Sequence, residues 1–231
     1  MTIWAILPAA GIGRRMGSIT PKQYLPVCGL PVLVHSINRL LAIEEIEHLV
    51  VVLQEEDVEW SELNLSDPKM STALGGNERF NSVLNGLDAI ADRANADDWV
   101  LVHDAVRPCL TLSDVKKLIT ELRDHEVGGL LATPIDNTVK QVDLENHVAK
   151  TVDRSDLWSA LTPQMFRFGL LHKALSNAVS NELGVTDEAS AIESLGLKPK
   201  IVVGSKSNIK ITHEADLKVA ELFLSSEDGV Q

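Results

Sequence analysis

Stretches of apolar residues alternate with helix-like patterns along most of the chain. Residues 3–8, 49–53 and 100–102 are apolar without polar alternation, which is typical of strands that are covered on both faces. Between them, residues 31–43 and 78–93 have helical spacing. This order predicts an α/β fold in three layers, with helices on both faces of a mostly parallel, Rossmann-like sheet. Further predicted strands are 70–74, 129–133, 201–203 and 209–211, and further predicted helices are 113–125 with Ser113 as N-cap, 168–181, 187–196 and 213–224.

Residues 138–153 break this alternation. Two β-prone halves flank a polar turn at Glu145 and Asn146, which indicates a β-hairpin. The hairpin has few large apolar side chains, so it cannot bury itself well. We predict that it projects as an arm and finds a partner, and that residues 1–231 otherwise form a single domain.

Composition excludes several classes of protein. The net charge of −12 argues against nucleic-acid binding, which needs a basic face, and requires that any anionic substrate be held by local positive charge. The spacing of the two cysteines, Cys28 and Cys109, does not indicate a metal site, and two thiols do not make a disulfide framework, so they are typical of a reducing compartment. No basic signal segment precedes the first apolar run, and no run reaches the ~20 residues of a membrane span. We therefore expect a cytoplasmic protein.

A glycine-rich loop, residues 8–17, follows the first predicted strand. Its small residues let backbone N–H groups approach a ligand closely. Arg14 and Arg15 lie within it and Lys22 follows, with no acidic residue between Pro8 and Lys22. The loop therefore predicts a polyphosphate site, and the alternative is a tight turn with solvated arginines. A Walker A loop would need Gly-Lys followed by Ser or Thr. A dinucleotide fingerprint would need a third glycine where Met16 stands.

Residues 8–16, read as Pro-Ala-Ala-Gly-x-Gly-x-Arg-Met, are followed by Pro-Lys-Gln at 21–23. This pattern resembles the sugar-phosphate nucleotidyltransferases and, more narrowly, the 2-C-methyl-D-erythritol 4-phosphate cytidylyltransferase family. The order of the motifs makes the resemblance specific, although Val106 stands where the family usually has Ala, and some relatives carry Asp at the position of Asn77. The resemblance continues through residues 75–82, 103–108, 151–154, 161–164, 186–189 and 208–210.

The resemblance implies transfer of a cytidylyl group from CTP to methylerythritol phosphate, with magnesium as the cofactor. The nucleophile is a phosphate monoester that is already largely dianionic at neutral pH, since its second pKa is about 6. No general base is required, and catalysis consists of positioning and electrostatic stabilisation. Asp104 is the predicted carboxylate for magnesium or ribose, and His103 is predicted to be structural.

Individual roles are carried over from the family to matching positions. The implied catalytic residues are Arg15, Lys22, Arg154 and Lys210. The implied nucleotide contacts are Pro8, Ala9, Ala10, Gly11, Gly13, Gly76, Asn77, Ser82, Asp104 and Ala105. The implied acceptor contacts are Arg107, Thr138, Arg154, Thr186 and Lys210.

The family arm embraces a second subunit, so a homodimer is implied, with Arg154 delivered to the neighbour's acceptor site. Two simpler interpretations concern helix starts. Gly76 and Asn77 could act as a helix cap, and Asp187 and Glu188 could cap the helix that begins there.

Three other functions remain open on the sequence. A ribitol 5-phosphate cytidylyltransferase tends to begin its loop with Leu-Ala-Gly-Gly, whereas this chain has Pro-Ala-Ala-Gly at 8–11. A catalytically silent nucleotide-binding module would be expected to have lost at least one of the four implied catalytic cations. A dinucleotide-dependent oxidoreductase is disfavoured by the incomplete fingerprint.

Overall fold

In the computed structural model, which describes residues 2–11 and 20–228, a seven-stranded sheet organises the chain. Its strand order is β11-β7-β10-β6-β1-β4-β5, and β10 alone runs antiparallel to its neighbours within the described ranges. The sheet is therefore mostly parallel, as predicted. The strands are β1 (Ile3–Pro8), β2 (Pro26–Val27), β3 (Leu30–Pro31), β4 (Ile46–Leu53), β5 (Met70–Leu74), β6 (Trp99–Val102), β7 (Gly128–Pro134), β8 (Val139–Val142), β9 (Val148–Val152), β10 (Trp158–Arg167) and β11 (Lys200–Val203). The α-helices are α1 (Val32–Leu41), α2 (Val58–Leu63), α3 (Arg79–Asp88), α4 (Leu112–Leu122), α5 (Phe168–Ser180), α6 (Glu188–Glu193) and α7 (Glu214–Asp228).

Side chains on the two faces of the central strands enter different cores. On β1, Ala5 and Leu7 join one buried cluster, and Trp4 and Ile6 join another. The first cluster includes residues of α1 and α4, and the second includes residues of α3, α5 and α6. Because successive strand residues point to opposite faces, this division confirms the predicted three layers.

The long strand β10 was missed by the sequence analysis. Its central position between β6 and β7 is unexpected for a segment that contains Pro163, because proline cannot donate to a sheet ladder. The pairing with β7 shifts register between Ala160 and Gln164. This irregularity accommodates the proline, since bulges are one of the few sheet positions where proline is tolerated.

Two local predictions were wrong. Residues 209–211 form no strand and belong to a loop, which the Ile211 backbone N–H ties to the Val106 carbonyl at 2.9 Å. The N-cap of α4 is Thr111, two residues before the predicted Ser113, and its side chain accepts from the Asp114 N–H.

The predicted hairpin is present. Strands β8 and β9 form a two-stranded antiparallel sheet apart from the main one, and nearly all of their side chains are exposed. Between residues 20 and 228, and in the short described segment before them, no helix is long and apolar enough to cross a membrane.

The cap of α4 gives a matched test of local structure. We expect Thr111→Ala to lower the free energy of unfolding by about 1 kcal/mol, because the Asp114 N–H loses its acceptor. Ser113→Ala, at the position predicted from sequence, removes only an exposed contact with the Thr111 hydroxyl and leaves the cap itself in place, so it should change the free energy by less than about 0.5 kcal/mol. Urea unfolding of both variants measures the difference, and a larger loss in Ser113→Ala would contradict the assigned cap.

Candidate active site

A cavity of about 440 Å³ opens at the carboxyl ends of β1, β5 and β6. This is the edge at which open parallel sheets bind ligands. Lys22 and Lys210 also line the cavity, whereas Gly13 and Arg15 lie outside the described residues. Nine of the ten predicted nucleotide contacts line it: Pro8, Ala9, Ala10, Gly11, Gly76, Asn77, Ser82, Asp104 and Ala105.

Two loops are packed together to form one wall of this cavity. A Cβ atom on Gly75 would lie 2.4 Å from the Cβ of Ala10, so only glycine permits this approach of the loops. The buried Gln23 side chain donates to the Ala9 carbonyl at 2.8 Å, and Gly76 N–H donates to Ser82 Oγ at 3.1 Å. The wall is therefore built by hydrogen bonds within the chain itself.

The start of α3 differs from the simple interpretation in which Gly76 and Asn77 cap this helix. Glu78, not Gly76 or Asn77, is the N-cap residue. Its backbone N–H donates to Asn81 Oδ1 at 3.2 Å. Gly76 and Asn77 precede this cap and face the cavity.

Asp104 lies at the centre of a cationic cluster. Its Oδ1 accepts from Arg79 Nε at 2.8 Å, and its Oδ2 lies 2.8 Å from Lys210 Nζ and 3.8 Å from Arg107 Nε. Burial would raise the pKa of Asp104, but the charges of Arg79, Lys210 and Arg107 outweigh it and lower the pKa well below its usual range. The carboxylate is therefore ionised and held in place from both sides.

Arg79 is held by a second buried carboxylate, Glu188. The guanidinium donates from Nη1 to Glu188 Oε1 at 2.6 Å and from Nη2 to Oε2 at 3.1 Å, and Glu188 is fully buried. Burial would lower the pKa of Arg79, but these two carboxylates raise it. The capping interpretation was half right, because Asp187 caps α6 through the Ser190 N–H, whereas Glu188 pairs with Arg79.

A smaller cavity of about 200 Å³ adjoins the first and shares Arg79, Asp104 and Lys210 with it. Of the predicted acceptor contacts, Arg107, Thr186 and Lys210 line this second cavity together. Thr138 and Arg154 line neither cavity. Both lie exposed where the arm meets the rest of the chain.

His103 is buried and lines neither of the two cavities. Its Nε2 faces the Arg107 carbonyl at 3.0 Å, and its Nδ1 faces Thr162 Oγ1 at 2.9 Å. A carbonyl can only accept, so Nε2 carries the proton and Nδ1 accepts from the hydroxyl. The neutral ring thus satisfies both of its nitrogens, and burial lowers the pKa of His103 to about 4.

The sequence analysis did not assign a function to several residues that build the site. They join segments far apart in the chain, as Arg79 and Glu188 do across 109 positions, and no local pattern reports such pairs. Gln164 likewise donates to Asp187 Oδ2 and accepts from the Ala189 N–H. Membership of an ordered motif was the one signal that could have singled them out.

The family model and the curated relatives that match this chain share one description. The family model described as 2-C-methyl-D-erythritol 4-phosphate cytidylyltransferase matches residues 3–226. A relative of that name from Azoarcus sp. (strain BH72) is 50% identical over 231 residues, which cover 99% of this chain and 96% of the relative. One from Vibrio parahaemolyticus is 47% identical over 226 residues, which cover 97% and 96%.

Solved structures agree with this similarity. The crystal structure of the Francisella tularensis 2-C-methyl-D-erythritol 4-phosphate cytidylyltransferase superposes with a TM-score of 0.85 at 38% identity, covering 96% of this chain and all of that one. A 4-diphosphocytidyl-2C-methyl-D-erythritol synthase superposes with a TM-score of 0.84 at 34% identity, covering 96% and 98%.

The buried, neutral His103 predicts a pH dependence of stability. Between pH 6.5 and about 4, the unfolded chain binds a proton at this residue that the folded protein excludes. Its stabilising contribution should be complete above pH 6.5 and should fall by up to about 3 kcal/mol as the pH drops toward 4.

Urea unfolding across this pH range measures the effect, with His103→Gln as the comparison because its amide can still donate to the Arg107 carbonyl. The variant should lack this part of the slope. If the difference in the free energy of unfolding between the two proteins does not change with pH, the assignment of the slope to His103 is wrong.

Proposed function

The chain belongs to the 2-C-methyl-D-erythritol 4-phosphate cytidylyltransferase family, and from that premise we propose how its residues carry out the reaction. The enzyme transfers a cytidylyl group from CTP to 2-C-methyl-D-erythritol 4-phosphate in isoprenoid precursor biosynthesis. The products are CDP-methylerythritol and pyrophosphate. The ribitol phosphate, silent-module and oxidoreductase alternatives have no comparable support.

One observation carries the assignment of the site, namely that nine predicted nucleotide contacts converge on a single cavity with Lys22 and Lys210. We place CTP in this cavity and the acceptor in the adjoining one. Lys210 and Asp104 line both, so the α-phosphate and the attacking oxygen would meet beside them. Such an arrangement brings the reactants together, which is the main task of a phosphoryl-transfer site.

The reaction itself needs charge stabilisation rather than proton transfer. An oxygen of the dianionic acceptor phosphate attacks the α-phosphorus of CTP, and the bond to pyrophosphate breaks. Lys22 and Lys210 would stabilise the negative charge that develops on the transferred group and the leaving pyrophosphate. Arg15 is assigned the same task on the family resemblance alone, since it lies outside the described residues.

Magnesium fits the described residues only if the substrate supplies most of its ligands. The described part of the chain contains no group of three or more acidic, histidine or cysteine side chains that could hold a metal ion. Magnesium commonly uses one or two carboxylates together with substrate phosphates and water. Asp104 would provide the carboxylate. The half-exposed Lys210 side chain would then leave Asp104 Oδ2 and contact a phosphate group instead. When bound, the ion would neutralise charge on the triphosphate.

We also propose that the enzyme is a homodimer formed through the arm. On the arm, Leu144 is fully exposed, and Val142 and Val148 are 49% and 61% exposed. Apolar side chains in such an arm are stabilised when a partner covers them. A second copy would then bring its own Thr138 and Arg154 to the acceptor cavity, which neither residue lines within one chain. Cys28 and Cys109 form no disulfide, which fits the cytoplasmic location that we propose.

Pyrophosphate release tests the proposed substrates directly. We expect release with CTP, magnesium and methylerythritol phosphate together, and little release when UTP, ATP or GTP replaces CTP. Ribitol 5-phosphate should be a much poorer acceptor. Efficient release with ribitol phosphate would overturn the assigned acceptor while leaving the nucleotide site intact.

Lys22→Ala should lower kcat by about 100-fold or more while the KM for the acceptor changes little, because the ammonium acts mainly in the transition state. Lys116→Ala, at an exposed lysine on α4, is the control and should retain full activity. Steady-state kinetics with both substrates varied separates the two parameters. Equal losses in kcat and in acceptor affinity would contradict this role.

Mixing two inactive variants tests the shared site. Each dimer of Arg154→Ala and Lys22→Ala subunits would contain one site with both residues intact and one with neither. After equal mixing and random exchange, activity should therefore recover to about a quarter of the wild-type value. Confirmed heterodimers without recovery would show that Arg154 serves its own subunit.

A further inference from the structure

Four charged side chains form a continuous chain of ion pairs that begins behind the two cavities and ends in their lining. Glu188 pairs with Arg79, Arg79 with Asp104, and Asp104 with Lys210. Each comes from a different segment: the first turn of α6, the first turn of α3, the end of β6 and the loop after β11. The pairs therefore connect elements that no local sequence brings together.

Glu188 is the most constrained member of this chain. Its side chain has no solvent exposure, whereas that of Arg79 is 28% exposed. A buried carboxylate is costly unless it is paired and hydrogen-bonded, and both oxygens of Glu188 accept from the Arg79 fork. The planar guanidinium then has its orientation fixed, and its Nε is directed at Asp104.

The first turn of α6 is also anchored from the sheet. Gln164 on β10 donates to Asp187 Oδ2 at 2.9 Å and accepts from the Ala189 N–H at 2.8 Å. Thr186, which precedes this turn, lines the acceptor cavity. Arg79 opens α3, next to Gly76 and Asn77 of the nucleotide cavity. The bidentate pair thus joins a wall of the nucleotide cavity to a wall of the acceptor cavity.

We propose that Glu188 is a positioning residue for this reaction. Through Arg79, it orients Asp104 and keeps the walls of the two cavities in a fixed position relative to each other. Glu188 touches neither cavity, so its effect on catalysis must pass through the guanidinium. Small displacements of a reacting group can reduce the rate by about 100-fold. The inference rests on the proposed placement of CTP and acceptor in these two cavities.

A double-mutant cycle tests this route of action. Glu188→Gln keeps the size of the side chain but removes its charge and replaces one of the two acceptor oxygens by an NH2 donor, and Arg79→Gln removes the fork. We expect Glu188→Gln to lower kcat/KM for the acceptor by about 10-fold to 100-fold. The double variant should be no worse than Arg79→Gln alone, because a residue that acts through another adds nothing once that residue is gone.

Glu193→Gln, at the exposed end of the same helix, is the matched control and should retain wild-type kinetics. Circular dichroism and urea unfolding show whether each variant is folded at the assay temperature, and the kinetics are measured at a temperature where all the variants are folded. If Glu188→Gln does not fold, Glu188→Asp replaces it in the cycle. The shorter side chain keeps the charge but cannot span the same fork, so the same non-additive loss is expected.

Losses that simply add in the double variant, or wild-type kinetics in folded Glu188→Gln, would overturn the proposal. Lys22→Ala separates this failure from a failure of the site itself. If Lys22→Ala is inactive while Glu188→Gln behaves as Glu193→Gln does, the site is correct and the positioning role is wrong. If Lys22→Ala remains fully active, the placement of the substrates is wrong.

Discussion

The site depends on how one buried carboxylate, Asp104, is neutralised. Three cations surround it, Arg79, Arg107 and Lys210, and a second buried carboxylate, Glu188, pairs with Arg79. Within this cluster of five side chains, three positive and two negative charges leave an excess of one positive charge. A protein with a net charge of −12 needs local positive charge of this kind to bind two phosphorylated substrates, because its overall field repels them.

The sheet brings these charges together. Parallel strands end at a common edge, so the loops after β1, β5 and β6 meet there and supply Ala10, Gly76 and Asp104. The antiparallel β10 contributes from the middle of the sheet. Its Thr162 accepts from the Asp104 N–H at 3.0 Å, and its Gln164 anchors the start of α6. The position of Asp104 is thus set both by its backbone N–H, which Thr162 holds, and by its side chain, which the cations hold.

Prediction from sequence succeeded where the signal was local. Continuous apolar runs placed β1, β4 and β6, because strands buried on both faces need no polar alternation. It failed where a distant partner decides the structure. Strand β10 contains Pro163 and polar residues that resemble a loop, yet β6 and β7 pair with it on both sides. Residues 209–211 are β-prone but are held in a loop by Val106.

The sequence by itself determined the fold class, the order of the nucleotide loops and the residue types that meet phosphate. These properties follow from hydrophobic periodicity and from short motifs, both of which are local in the chain. Only the tertiary structure decided that Arg79 joins Asp104 to Glu188, that Thr111 rather than Ser113 caps α4, and that a neutral His103 lies behind the site. Pairing of buried charges is a property of three-dimensional proximity, since the cost of burial depends on which groups surround each charge.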